Sequence, residues 1–517
     1  MRKGIAALGF VALSACAGPS VLTRDSRLAA TEGVVVVRLV SNLEFPDWRS
    51  ISVKSDASGE SFTLRPVPYA VRGSYVFAAA LPEGSYTADS MYAFFYAGSN
   101  ETGSISLEVN APIAALTGSF RIAGGRVTNL GTLVYQPGRT LSAEQGEFSL
   151  AIDPTPAPTT ALFATAFPNF AEVVRGKPEL GWAATHANSK SPAIIAAAKR
   201  AARGLNSPVV TGSGAVYAGA RMGQVIVRPN LGSDWRTLDT GSLHEIVCVL
   251  PFADGRILAG GEEGFLSYSS DAGRTWQRVS LVRPDAIVTF LGVAPNHSLY
   301  LVAESEREVV VYTSTQPASG WRELRRFVEP PADTGNIWIG PQHWKTQLTM
   351  GGATLRSELV ALTASRLVVL QQPNTVWSYE FSSGRWETAE PAPRGVFSIE
   401  ASSDGYLWAI PVGGTAMYGS ADWGRSWSKL EYFALHVTPV FANRSTGYMA
   451  ALPYGLLQTW RVMKTTDGGS SWSISGRLDD FHAEKFVVDP SGKLIAVTPA
   501  HQLYVSSDAG KTWTGPR

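Results

Sequence analysis

Tryptophans that close a short Asp-x-Gly-x-x-Trp phrase recur through the second half of the chain at nearly constant spacing. Four copies keep all three letters: Asp271, Gly273 and Trp276; Asp422, Gly424 and Trp427; Asp467, Gly469 and Trp472; Asp508, Gly510 and Trp513. A looser copy has Asn230, Gly232 and Trp235, while Trp321 in QPASGWREL and Trp386 in SSGRWETAE end versions without the Asp. Successive tryptophans are separated by 41, 45, 65, 41, 45 and 41 residues. A period near forty marks units that cannot bury their own faces and must stack on one another. Within one unit, EIVCVLPF, RILAGG, FLSYSS and TWQRVSLV read as four short strands between residues 245 and 282. Four strands per unit and seven units predict a seven-bladed β-propeller over residues 207–517, with an insertion between Trp321 and Trp386.

The repeated phrase falls between the third and fourth strands of its unit. There the Asp carboxylate accepts bonds from turn amides, the Gly supplies a positive φ, and the Trp ring packs over the turn. Because a single active site has no use for four copies, these residues are read as structural. The phrase resembles the Asp box, or BNR repeat, of sialidase-like and sortilin-like propellers. That resemblance implies the fold more strongly than any activity, since the motif also occurs in assembly factors, sorting receptors and other carbohydrate-active propellers. Ring closure would put Trp235 and Trp513 in neighbouring blades. Only TWTGPR is left to finish the last blade, so residues 205–214 are a candidate for its outer strand.

The chain opens MRKGIAALGFVALSACAG, with Arg2 and Lys3, an apolar run too short to span a bilayer, and small residues leading to Cys16. This pattern is an export signal over residues 1–15. LSAC, ending in Cys16, resembles the lipobox of bacterial lipoproteins, which implies a diacylglycerol on the Cys16 thiol and cleavage just before it. Ala17 then implies an outer-membrane address, facing the periplasm or the surface. A soluble secretory signal cut at a nearby small residue is the alternative. Cys248, in the apolar run EIVCVLPF, is read as a buried strand residue.

Residues 16–32 read as a flexible tether. From 33 to 137, GVVVVRLVS, RSISVKS, SYVFAAAL and GSISLEVN alternate with Gly, Pro, Asn and Asp, as strands of a β-sandwich do. LPEGSYTAD looks like the strand-turn-strand of prealbumin-like domains. Residues 138–206 read as a linker, stiffened by Pro154, Pro156 and Pro158 and carrying two helical patches. The second, SPAIIAAAKRAARG, has Ser191 as N-cap, Pro192 in its first turn, and an apolar face of Ile194, Ile195, Ala198 and Ala202. Either a neighbouring domain or a membrane or partner surface would cover that face. The fold class is therefore all-β, a sandwich followed by a propeller, with a short helical linker.

Charged residues make up only 17% of the chain and the formal net charge is +1, a composition that fits neither a nucleic-acid footprint nor a disordered chain. Partner contacts are expected on the face opposite the repeated turns. Candidates there are Trp338, His343 and Trp344 in the insertion, and Tyr432, His436, Asp480 and His482 between blades. His244, Glu245, Glu262, Glu263, Arg283, Asp285, Glu304, Glu306, Arg307, Asp479, Phe481 and His501 share this face. Packing beneath the insertion is an equal reading for Trp338 and Trp344.

No residue pattern supports a metal site or a cofactor fingerprint. FRIA at Phe120 to Ala123 lacks the proline of the sialidase F/Y-R-I-P motif and lies outside the propeller, so Arg121 is read as a strand residue. Sialidase propellers also have six blades, not seven. The sequence thus points to a binding or assembly protein of the cell envelope, with a protein or glycan partner. A glycoside hydrolase with two carboxylates across the propeller groove is the first alternative, and a purely structural envelope lipoprotein is the second.

Overall fold

The computed structural model describes residues 22–42, 47–67, 74–100, 103–138, 148–155, 166–185, 190–202, 204–230, 233–305, 308–328, 348–350, 353–355, 359–371, 375–389, 392–393, 396–411, 416–431, 438–452, 459–478, 481, 483, 485–498 and 502–515. Ten strands come first: β1 (Glu32–Ser41), β2 (Asp47–Ser55), β3 (Ser61–Pro66), β4 (Ser74–Pro82), β5 (Gly84–Asn100), β6 (Gly103–Pro112), β7 (Gly118–Ile122), β8 (Val127–Pro137), β9 (Phe148–Asp153) and β10 (Trp182–Thr185). They form one sheet in the order β10-β7-β5-β2-β3-β4-β1-β8-β9, with β6 also paired to β5. This sheet curls over its own core, so that Trp48, Ile51, Phe77, Phe120 and Leu133 from distant strands meet. The facing layers expected of a sandwich are two halves of one continuous sheet.

Strand β1 shows why the sequence takes this form. Val35, Val37 and Leu39 enter the main core, while Val34 and Val36 face a helix on the outer side. Covered on both faces, β1 is a run of valines rather than an alternating strand.

The span read as a linker belongs largely to this unit. It supplies β9 and β10, and helix α1 (Pro168–Val174) lays Phe170, Ala171 and Val174 on Val34, Val36 and Val76. Leu22 and Leu28 join the same cluster, and the Asn169 amide donates to the carbonyls of Asp25 and Ser26 at 3.4 and 3.3 Å. The stretch expected to be a loose tether is therefore tied down from residue 22 onward. In helix α2 (Ser191–Arg200) the N-cap position falls to Lys190, which makes no side-chain capping bond, and Ser191 is the first helical residue. The Ser191 hydroxyl is turned instead to the Ile152 amide at 3.3 Å.

Seven sheets follow: blades 1 to 7 cover 206–239, 246–278, 287–328, 360–389, 396–430, 440–477 and 485–506. A separate hairpin pairs 348–350 with 353–355 inside the insertion. Each seam between blades holds an apolar cluster. Between blades 3 and 4, for example, Val302, Val311 and Phe327 meet Leu367, Val369 and Trp377. The ring closes where Val210, Val216 and Trp235 of blade 1 pack against Val487, Ile495, Val497 and Leu503 of blade 7.

Residues 206–210 are the first strand of blade 1, paired with 216–219, so they do not complete blade 7. Their ladder partner lies in their own blade. Blade 7 has three strands and a short fourth contact, in which the Val505 and Thr514 amides each donate to the other's carbonyl at 2.9 and 2.8 Å. Closure thus rests on side-chain packing, not on strand exchange.

All four complete repeats fold into the same turn. In blade 2 the Ser269 hydroxyl donates to Asp271 Oδ1 at 2.8 Å and accepts from the Gly273 amide at 2.8 Å. Asp271 then accepts from the Thr275 amide at 2.9 Å and its hydroxyl at 2.7 Å. Ser420, Asp422 and Ser426, Thr465, Asp467 and Ser471, and Ser506, Asp508 and Thr512 repeat this pattern. The hydroxyls two residues before and four after the Asp are thus as much a part of the motif as the Asp itself. Two consecutive residues take positive φ, Ala509 at 63° and Gly510 at 83° in the last copy. A Cβ on Gly510 would lie 2.7 Å from Val462 of blade 6, and one on Gly273 2.4 Å from Leu238 of blade 1. Glycine is required both for the turn and for the approach of the preceding blade.

Gly510→Ala is therefore expected to lower stability by at least about 1–3 kcal/mol, the strain of a positive φ alone, measured as a shift in the urea midpoint. The donors around Asp271 and Asp508 hold both carboxyls down at about 2. The Thr275 amide and hydroxyl lead at Asp271, and the Thr512 hydroxyl and amide at Asp508. An unfolded Asp titrates near ~3.9, so the stabilisation these turns give is complete above that pH and is lost as pH falls toward about 2. Asp508→Asn should be less stable than wild type at pH 7, and the gap between the two urea midpoints should close on acidification across that window.

The loop face of blades 1 to 3 as candidate functional site

The repeated turns join third to fourth strands, so the opposite face carries the loops between second and third strands and those leading to the next blade. On blades 1 and 2 that face is covered by the N-terminal unit. Helix α2 wedges Ile194, Ile195 and Ala198, with Ala202 just beyond its end, between Val40, Val134 and Ala151 of the sheet and Met222 and Leu243 of blade 1. The apolar face of this helix is thus buried between the two units.

Beside this wedge lies a buried cluster of charge. Arg38, the one charged residue in the valine run of β1, is 4% exposed and sits 2.7 Å from Glu263 and 3.9 Å from Glu262. Glu262, 0% exposed, accepts from the Ser74 amide at 2.9 Å, the Ser74 hydroxyl at 3.0 Å and the Glu245 amide at 3.0 Å. Glu263, at a positive φ of 50°, also meets His244 Nε2 at 3.2 Å. Glu245 accepts from Asn206 Nδ2 at 2.8 Å, with Arg221 3.9 Å away. A buried carboxylate is tolerated only with such partners. The His244 ring packs on Phe265 with centroids 5.2 Å apart. Burial first, and then the Arg38 charge, hold its pKa below the usual histidine value against the pull of Glu263.

A second group spans blades 2 and 3. Arg283 grips Asp285 with two bonds of 2.9 and 2.8 Å and reaches Glu308 at 3.2 Å, and Arg326 binds Glu308 and Glu323. The space enclosed by Arg283, Glu308, Tyr312 and Arg326 is about 10 Å³, room for one water at most. Glu304 is buried and accepts from the Thr289 hydroxyl at 2.7 Å. Phe481 stacks on Tyr504 at 3.7 Å and meets Trp513 edge-on, a packing role within blade 7.

Of the sequence candidates, Cys16, Trp338, His343, Trp344, Tyr432, His436, Asp480 and His482 lie outside the described residues, as do Glu306, Arg307, Asp479 and His501. Arg121 is an exposed residue of β7, away from the propeller. Sequence reasoning missed Arg38, Ser74, Asn206 and Arg221. Only Arg38 carried a signal, a lone charge in a strand otherwise apolar on both faces. Among the described residues no group of three His, Cys, Asp or Glu side chains is placed to hold a metal ion. On the turn face, an open cleft of about 430 Å³ separates blades 5 and 6, lined by Ser403, Asp404, Asn443, Arg444, Ser445 and Asp467.

No protein-family model and no curated protein matches the chain. Solved propellers resemble it at low identity. YCF48 bound to a D1 peptide is 12% identical, with 59% of this chain and 89% of that one covered at a TM-score of 0.41. YCF48 from Cyanidioschyzon merolae is 12% identical, covering 56% and 92% at 0.40. Virginiamycin B lyase from Staphylococcus aureus is 13% identical, covering 58% and 93% at 0.41.

Removing Arg38 would leave Glu263 buried beside its remaining partners without its cation. Arg38→Met is expected to weaken the docked arrangement by about 3–5 kcal/mol, the cost of breaking a buried ion pair. Faster proteolytic cleavage between the N-terminal sheet and blade 1 would register that loss.

Proposed function

We propose that this chain is a lipid-anchored protein of the cell envelope whose propeller holds a protein or glycan partner on its loop face without catalysing a reaction. One observation carries the non-catalytic part of that reading. The described carboxylates of the loop face already have partners within the protein: Glu245 with Asn206, Glu262 with Ser74, Glu263 with Arg38, Asp285 and Glu308 with Arg283, Glu304 with Thr289. A glycoside hydrolase needs two carboxyls facing a substrate across several ångströms of open space. These acids instead hold blades and units together.

With blades 1 and 2 covered, the proposal assigns partner contacts to the rest of the face. Trp338, His343, Trp344, Tyr432, His436, Asp480 and His482 are the proposed contact residues. Asp-box turns then serve as scaffold, keeping the blades rigid while the loops vary. The anchor is proposed at Cys16. Five residues separate Cys16 from Leu22, where packing on the sheet begins. Fully extended, that stretch spans about 20 Å, so a lipid at Cys16 would hold the curled sheet close to the bilayer.

Three measurements test this. Cys16→Ser should move the protein from the membrane fraction to the soluble envelope fraction, and unchanged membrane association would remove the anchor. Capture from native membranes with the full protein should recover a defined partner that a Trp338→Ala/Trp344→Ala variant loses. Cleavage of a polysaccharide by the purified protein would overturn the non-catalytic reading.

A further inference from the structure

We propose that acid loosens the docking of the N-terminal unit on blades 1 and 2 through His244, whose second ring nitrogen has no acceptor in the docked arrangement. His244 Nε2 lies 3.2 Å from Glu263 Oε2. A carboxylate only accepts, so the neutral ring carries its proton on Nε2 and leaves Nδ1 bare. Nδ1 is buried and has no hydrogen-bond partner. A proton added there creates a buried N–H with nothing to receive it, at a cost that undocking removes.

The surrounding charges act in the same direction on balance. Arg38 of β1 faces the ring across Glu263, and Arg278 of blade 2 lies over the Phe265 ring on which His244 packs. Both repel an imidazolium. Glu263 attracts it, but that carboxylate is already paired with Arg38. Glu262 is taken by Ser74, and Glu245 by Asn206 with Arg221 nearby. A fifth of the His244 side chain, 20%, meets solvent, whereas Nδ1 itself is buried.

The sign follows from linkage. Burial and Arg38 keep the docked ring's pKa below its ordinary value, so an undocked ring takes the proton first. Docking is at full strength above about pH 6.5, the value for a free histidine. It weakens as pH falls, by at most about tenfold in the docking equilibrium per pH unit for one proton, until the docked ring titrates too. The contacts of helix α2 with Met222 and Leu243 do not titrate and set the baseline.

Hydrogen exchange on the full protein between pH 8 and 5, corrected for the intrinsic rate, tests this at the Ser74 amide. That amide is bonded to Glu262 across the interface. Its protection should fall with pH by no more than tenfold per unit, while amides of 407–410 in blade 5 stay constant. In His244→Gln, whose side-chain amide can still donate to Glu263 but cannot titrate, Ser74 protection should be flat. A flat wild-type profile, or an equal slope in the variant, would overturn the proposal. Should the variant undock altogether, the imidazole of wild-type His244 can be titrated by NMR. A midpoint clearly below 6.5 is expected, and one at or above the ordinary value of about 6.5 would overturn it.

Discussion

Four blades of this propeller depend on how closely the preceding blade can approach, and a single glycine in each of their turns sets that distance. A hydroxyl two residues before the Asp fixes the carboxylate and receives the glycine amide, so the turn presents a bare Cα toward the blade before it. Leu238, Val376, Met417 and Val462 occupy the space a Cβ would need in the four complete copies. The apolar seams then close around the ring, ending with blade 7 against blade 1. Because that seam is made by side chains, the first strand of blade 1 stays in its own sheet. A three-stranded last blade suffices.

The seven units are similar in sequence but not in surroundings. Blades 1 and 2 spend their loop face on the N-terminal sheet, with helix α2 as an apolar wedge and Arg38, Glu262, Glu263 and Ser74 as a polar lock beside it. Repetition gives each blade the same scaffold, and the loops determine what each one meets. Glu262 and Glu263, which a linear reading places only on the loop face, are the acids that tie the two units together. Their burial makes each depend on a specific partner: without Arg38 or Ser74, a carboxylate would remain in the interior with too few donors.

Periodicity made the propeller legible. Tryptophans at 41 to 45 residues, with four strand-like runs per unit, correspond to seven sheets, and the strands read between 245 and 282 fall where the blade 2 strands lie. The turn was legible in its Asp and Gly but not in its hydroxyls, since Ser and Thr are common enough in loops to pass as filler. In the N-terminal unit the strands could be read, whereas their arrangement could not. Pairings between β1 and β8, or β7 and β10, join residues far apart in the chain, and local pattern does not encode them. The same limit hid β9 and β10 within a span rich in Pro and Ala.

The sequence alone therefore determined what depends on local, repeated chemistry: strand runs, turns that need Asp and Gly, a seven-fold period, and a lone Arg in a valine strand. Tertiary structure decided what depends on which surfaces meet. It turned Arg38 toward Glu263, curled ten strands into one sheet, placed helix α2 between two units and left His244 Nδ1 buried without an acceptor. Local pattern reflects the energy of a residue with its near neighbours in the chain. Ion pairs and interfaces reflect its energy with residues brought close only by the completed fold.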